Sequence, residues 1–188
     1  MTSPTPERKG ARTRQRILQA ARKTFAEAGY EKATIRGIAD LSGVDKASVI
    51  KHFGSKQDLF DEAVRWTIPV GELTTTDPGE TAQNYLRGLL TTWAADPDGP
   101  MAVLLRTAMT SPDALDQLRA QVTDQAVTSV AATIDAPDAR LRAALLSAVL
   151  MGIASQRYLL QFPDLAAASD DDIVRIVAPL LASLLSPG

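Results

Sequence analysis

Apolar residues recur at helical spacing in almost every segment of this chain, and a helix-capping or helix-breaking residue separates each segment from the next. In the first segment Ile17, Leu18, Ala21, Phe25 and Ala28 form one stripe, and Gly29 is placed to end it. The second opens on Thr34 and carries Ile35, Ile38, Ala39 and Leu41 as far as Ser42-Gly43-Val44. A third, short helix starts at Asp45, holds Val49, Ile50 and Phe53, and stops at Gly54. Ser55-Lys56-Gln57-Asp58 has capping-box spacing and opens a fourth, expected to run through Leu59, Phe60, Ala63, Val64 and Trp66 to Pro69.

Beyond it, Val70 to Gly79 reads as a loop. A fifth helix carries Ala82, Tyr85, Leu86, Leu89, Leu90 and Trp93; a sixth carries Met101 to Met109. Ser111-Pro112 opens a seventh, expected to reach Ile134. The β-branched run from Val127 to Ile134 is the one strand signal there, and its apolar spacing is helical. The eighth, Leu141 to Gln161, is apolar nearly all round and so is expected to be covered on most sides. The ninth opens at Ser169-Asp170-Asp171-Asp172, and Pro179 is expected to kink or split it. The expected fold class is all-α. It comprises an N-terminal three-helix helix-turn-helix domain and a C-terminal helical ligand-binding and dimerisation domain, about nine helices in all. The expected divisions are a tail over 1–10, the helix-turn-helix over 11–54, a connecting helix over 55–69 and the body over 70–188.

Composition removes several functions. The 188 residues contain no cysteine, which excludes disulfides and thiolate chemistry, and one histidine, His52, which argues against a histidine triad or metal site. Neither a P-loop nor a glycine-rich dinucleotide fingerprint occurs. The expectation is a non-enzymatic protein needing no cofactor and no metal. The apolar runs are too short to span a bilayer and the N-terminus has no secretory stretch, so a cytoplasmic protein without membrane contact is expected.

Charge is unevenly spread. Residues 1–60 carry 12 Lys+Arg against 6 Asp+Glu, a net +6, and the remainder carries 8 against 16, a net −8. A basic head on an acidic body suits a polyanion bound at one end, although a solvated basic face has the same composition. Two short helices joined by a glycine-containing turn, with a third packed beneath them, form the unit whose second helix enters the DNA major groove. The presenting helix is Asp45 to Lys51, with Val49 and Phe53 inward and Lys46, Ala47, Ser48, Ile50 and Lys51 outward.

These residues carry a resemblance. Thr34-Ile35-Arg36-Gly37-Ile38-Ala39, Ser42-Gly43-Val44, Ser48-Val49 and Phe53-Gly54-Ser55-Lys56 resemble the TetR (tetracycline repressor) family of transcriptional regulators. So does the first helix, from Arg14 through Ile17-Leu18-Gln19-Ala20-Ala21 to Gly29-Tyr30. The resemblance covers residues 12–60. It implies that Arg36 contacts a base, that Thr34, His52 and Lys56 touch phosphate, and that Lys46, Ala47, Ser48 and Lys51 line the groove. Ile50 stands where a phosphate-binding Tyr is usual; an Ile can instead meet a thymine methyl. The plainer reading makes Arg36 an ion-pair partner of Glu31 or Asp40, and the lysines solvated surface.

For the body, the resemblance implies a homodimer on a palindromic double-stranded DNA operator. The joining faces are expected to be Leu141, Leu145, Ala148, Val149 and Gly152 with Ile173, Val177, Leu180, Leu181 and Leu184. A small apolar or aromatic effector is expected among Trp66, Tyr85, Trp93, Met101, Leu105, Met109, Met151, Arg157, Tyr158 and Phe162, residues that equally suit a plain core. The expected function is a ligand-responsive regulator, by family default a repressor. A non-specific architectural DNA binder, or a regulator without an effector, is the alternative.

Overall fold

A computed structural model describes residues 6–186, and these are helical with no strand among the described residues. They fall into two compact units, one of residues 6–66 with 98–118, the other of 67–97 with 119–186.

In the first unit, helix α1 (Pro6–Lys32) is interrupted at Gly29, whose φ of 74° and ψ of 168° lie where residues with a Cβ are strained. It begins inside the stretch expected as a tail; residues 1–5 of that tail lie outside the described residues. Helices α2 (Ile35–Ser42), α3 (Lys46–Phe53) and α4 (Lys56–Ala63) follow. Their core is Ile17, Ala21, Phe25, Ile38, Val49, Leu59, Phe60 and Val64. Phe60 meets Phe25 and Tyr30 edge-on at 5.0 Å, geometry that aromatic quadrupoles favour. Val103 and Leu104 of α7 (Pro100–Ala108) and Ala114 of α8 (Pro112–Gln121) belong to the same core. All three lie beyond residue 69, in the segment expected to belong to the body.

Helix α4 is shorter than expected, ending at Ala63 rather than near Pro69. Pro69 disfavours helical geometry at Ile68, Thr67 and Ile68 are β-branched, and Arg22 Nε donates to the Ala63 carbonyl at 2.8 Å, closing the helix. The expected 70–79 loop contains a single helical turn, α5 (Val70–Leu73).

The second unit is built on α6 (Pro78–Ala95), α10 (Ala139–Ala154) and α12 (Asp170–Leu185). Asp77 caps α6, accepting from Gly79 N at 2.6 Å and Glu80 N at 3.1 Å. Leu86, Leu90, Leu146, Ile173, Val174 and Leu181 form its core. The helix expected to end near Ile134 widens into a π-helix at Val122–Thr128 before a last α-turn, α9 (Ser129–Ala131). The next widens at Ser155–Leu159 and precedes the short α11 (Pro163–Ala167). At each site a serine hydroxyl enters the backbone ladder: Ser129 Oγ donates to Asp124 O at 2.8 Å and Ser155 Oγ to Met151 O at 2.7 Å.

Of the two outcomes expected at Pro179, a kink or a split, the split does not occur: α12 continues through it, with Ile173, Val174, Ala178, Leu181 and Leu185 buried along one side. One further expectation is corrected: α10 is not covered on most sides. Within the single chain Leu141, Leu145 and Val149 are exposed, the first by 61%.

Candidate nucleic-acid interface

The two motif helices are held by short-range chemistry. Thr34 Oγ1 accepts from Gly37 N at 3.0 Å and so caps α2 while its own hydroxyl proton stays free to donate. Asp45 Oδ1 accepts from Ser48 N at 2.6 Å and caps α3. This backbone donor, with the Ser48 hydroxyl second, holds the Asp45 carboxyl below its ordinary range. Ser55 and Asp58 complete a reciprocal capping box on α4, and the Asp58 carboxyl is lowered by the Ser55 hydroxyl first and its amide second. Between α2 and α3 the chain turns on Gly43, left-handed at φ 65° and ψ 39°. Arg16 Nη2, reaching across from α1, donates to the carbonyls of Ser42 and Gly43.

With Val49 and Phe53 buried, α3 turns Lys46, Ala47, Ile50 and Lys51 to solvent and leaves Ser48 and His52 half-buried. Thr34 and Arg36 are exposed at the start of α2. Neither Glu31 nor Asp40 pairs with Arg36, and among the described residues Arg36, Lys46 and Lys51 make no ion pair. The arrangement offers guanidinium and ammonium donors beside a helix whose opposite face is anchored in the core. That is what reading base edges and phosphates requires.

Much of the positive charge of the head is committed internally. The ammonium of Lys56, the residue expected on phosphate, donates to the carbonyls of Tyr30 at 2.8 Å, Ala33 at 3.1 Å and Glu31 at 3.4 Å. The ammonium also lies 4.3 Å from the Tyr30 ring centroid. Arg14 pairs with Glu62 and covers the Phe53 ring. With Arg16 and Arg22, four cations of the head hold its helices together. Sequence inspection missed the Arg16 clamp because its partners lie 26 and 27 residues away and no local pattern announces them.

In the second unit, the residues expected to join two copies separate into two sets. Leu141, Leu145, Ala148 and Val149 of α10 and Leu180 of α12 are exposed, and a Cβ at Gly152 would meet nothing within 4 Å. Ile173 and Leu181 are instead buried in their own core, with Val177 and Leu184 packed partly against it. Ile176, absent from the expected set, is exposed beside Leu180; its i,i+4 spacing to Leu180 is the signal that was available. Arg142 Nη1 donates to Ser186 O at 3.0 Å, tying the start of α10 to the end of α12.

The expected effector residues are divided between the units. Trp66, Met101, Leu105 and Met109 are in the first, where Met109 lies just past α7 and is 86% exposed. Tyr85, Trp93, Met151, Arg157, Tyr158 and Phe162 are in the second. Trp93 and Tyr158 stack at 5.8 Å, and the Tyr158 hydroxyl donates to Leu90 O at 3.1 Å. Arg157 donates to Leu165 O and Ala168 O at 2.7 Å and pairs with Asp170 at 3.0 Å. Phe162 is exposed, because the chain turns out at Gln161, where φ is 50°. Burial raises the Tyr85 hydroxyl pKa. Buried hydrogen-bonding capacity is left unused at Trp66 Nε1 and Gln117 Oε1 in the first unit and at Gln121 Oε1 in the second. A cavity of about 440 Å³ in the second unit is lined by Gln83, Arg87, Asp171, Val174 and Arg175, none of them among the expected effector residues. No helix among the described residues is long and apolar enough to cross a membrane.

Comparison with known proteins agrees with this architecture. Residues 17–63 match the family described as bacterial regulatory proteins, tetR family, and residues 64–185 match the tetracyclin repressor-like C-terminal domain. The HTH-type transcriptional repressor AcnR of Corynebacterium glutamicum is 44% identical over 52 residues, 28% of each chain. The repressor KstR2 of Mycolicibacterium smegmatis is 37% identical over 65 residues, 35% of this chain and 31% of that one. These alignments therefore span under a third of either relative. A solved TetR-family regulator from Streptomyces coelicolor A3 superposes with a TM-score of 0.65 at 25% identity, over 98% of this chain and 99% of the other. A transcriptional regulator from Rhodococcus sp. Rha1 gives 0.64 at 25% identity, over 92% and 95%. With both family matches falling in register on a capped helix-turn-helix and a helical C-terminal body, the chain belongs to the tetR family of bacterial regulatory proteins.

Proposed function

We propose that this protein is a sequence-specific transcriptional repressor that binds a palindromic operator as a homodimer and is released by a small apolar or aromatic effector. The observation that carries the reading is the unpaired, outward-facing set Arg36, Lys46 and Lys51 on two capped helices joined by the Gly43 turn. Arg36 is suited to a guanine edge, Ser48 to the groove, Lys46 and Lys51 to the groove and the phosphates that border it, and Thr34 and His52 to phosphate. AcnR and KstR2, similar to this chain over 52 and 65 residues, are named as repressors, which favours repression.

One head reads few base pairs, so useful specificity needs two, ~34–36 Å apart, to enter successive major grooves. The exposed apolar strip of Leu141, Leu145, Val149, Ile176 and Leu180 supports pairing of two bodies. Effector binding draws support from the match of residues 64–185 to the tetracyclin repressor-like C-terminal domain. A ligand that favours one separation of the heads then lowers operator affinity by population shift. Such a regulator acts in the cytoplasm, where its DNA is.

The test is enrichment of genomic fragments on the purified full chain, followed by gel-shift titration with and without candidate effectors at fixed salt. Preference for a palindrome by ~10³-fold or more over random DNA supports the reading, and equal affinity for all sequences refutes it.

A further inference from the structure

On α3 the outward arc is not uniformly polar. Ala47 and Ile50 are i,i+3 neighbours, so they form one continuous apolar strip, with Lys46 on one side and Lys51 on the other. Ile50 is 42% exposed, and among the described residues of the head only Leu41 is another large exposed apolar side chain. This isoleucine cannot donate to or accept from a phosphate or a base edge. It does not contribute to the core, which Val49 and Phe53 supply from the opposite side of the helix. Its β-branched side chain is stiff at χ1, so its methyl groups are presented in essentially one orientation and little freedom is lost on binding.

The major groove offers one kind of apolar feature, the 5-methyl group of a pyrimidine, carried by thymine. The flanking lysines complement the phosphates on either side of such a base. We propose that Ile50, with Ala47 beside it, is a specificity-determining residue that packs on a pyrimidine 5-methyl group in each operator half-site. The inference rests on the operator-binding reading above and adds the base feature that α3 reads. Removing the contacted methyl returns one CH₂-sized apolar group to water, a loss of about fourfold in affinity per half-site and about fifteenfold when both halves are changed.

The experiment uses the full chain and an operator selected from a random duplex pool. Each thymine is replaced in turn by deoxyuridine, which deletes the methyl and leaves every hydrogen-bonding atom in place. The expected result is one symmetric position at which deoxyuridine weakens wild-type binding by about fourfold per half-site. Ile50→Ala should bind the thymine operator as weakly as wild type binds the deoxyuridine one, and should be indifferent to deoxyuridine there. Placing cytosine or 5-methylcytosine at the same position separates the two methyl sources. Recovery by 5-methylcytosine shows that the methyl itself is read, and tighter binding than to thymine assigns the methylated base. Equal sensitivity of wild type and Ile50→Ala to deoxyuridine at every position overturns the proposal. If the pool yields no enriched sequence, the operator-binding reading itself fails. Thermal unfolding of Ile50→Ala, matched to wild type, confirms that an affinity change arises at the surface.

Discussion

Replacing Gly43 by alanine tests how the turn between α2 and α3 is built. At φ 65° and ψ 39° an L-residue pays ~1–2 kcal/mol relative to glycine. The new Cβ would lie 2.8 Å from Arg16 Nη2, a separation that forces the guanidinium away. That atom is the donor to the Ser42 and Gly43 carbonyls, so both hydrogen bonds break. Hydrogen bonds to a charged group are worth ~1.5–3 kcal/mol, and the solvent exposure of this clamp argues for the lower figure. Gly43→Ala should therefore cost about 2.5–3.5 kcal/mol, lowering the melting temperature by about 6–12 °C. Arg16→Ala alone should cost about 1.5 kcal/mol, because it deletes the same donor. Because both substitutions remove one clamp, the double variant should cost about 1.5 kcal/mol less than the sum of the two. Urea denaturation followed by circular dichroism at 222 nm measures all four proteins. Additivity within ~0.5 kcal/mol would show that the clamp and the turn are independent, and would refute the reasoning.

Other expectations follow from the same geometry. Lys56→Met should lower stability by about 1–2 kcal/mol, by removing the donor to the three carbonyls at the end of α1, and leave the salt dependence of DNA binding intact. Lys51→Ala should do the reverse, flattening the log–log salt plot by about one for each phosphate no longer neutralised, as read by fluorescence anisotropy across salt concentrations. Leu145→Asp combined with Leu180→Asp places charge on the exposed α10–α12 strip and should convert dimer to monomer in light scattering while helicity is kept. The lowered carboxyls of Asp45 and Asp58 stabilise the folded state above their unfolded pKa of ~3.9 and lose that contribution as pH falls through the folded values. Circular dichroism below pH 4 should thus show α3 and α4 weakening with acid. Asp45→Asn with Asp58→Asn should flatten that dependence, since an amide caps without titrating.

Local chemistry makes the head legible in its sequence. Thr34, Asp45 and Ser55 each accept from a backbone amide three residues on, an interaction contained within one turn, and Gly43 marks the one left-handed residue of the motif. The outward arc of α3 follows from the burial of Val49 and Phe53 at i,i+4. The same kind of pattern failed for the cations, because a basic residue looks alike whether it faces solvent, phosphate or a carbonyl. Only packing of α1 against the turn and α4 turned Arg14, Arg16, Arg22 and Lys56 inward.

In the body, periodicity located α10 and α12 but not the sides on which they are covered. Ile173 and Leu181 belong to the core while Ile176 and Leu180 face out, although all four are equally apolar. Hydrophobicity states that a side chain gains by leaving water, not which neighbour removes it, and that choice belongs to the tertiary arrangement. The π-helical widening at Val122–Thr128 and Ser155–Leu159 and the unbroken passage of α12 through Pro179 were decided there too. Helix identity, caps and the reading helix were thus set by neighbours along the chain, where interaction distances are fixed by covalent geometry. Which charges stay free and which apolar face stays open were set by packing between residues far apart in the chain, which no local pattern encodes.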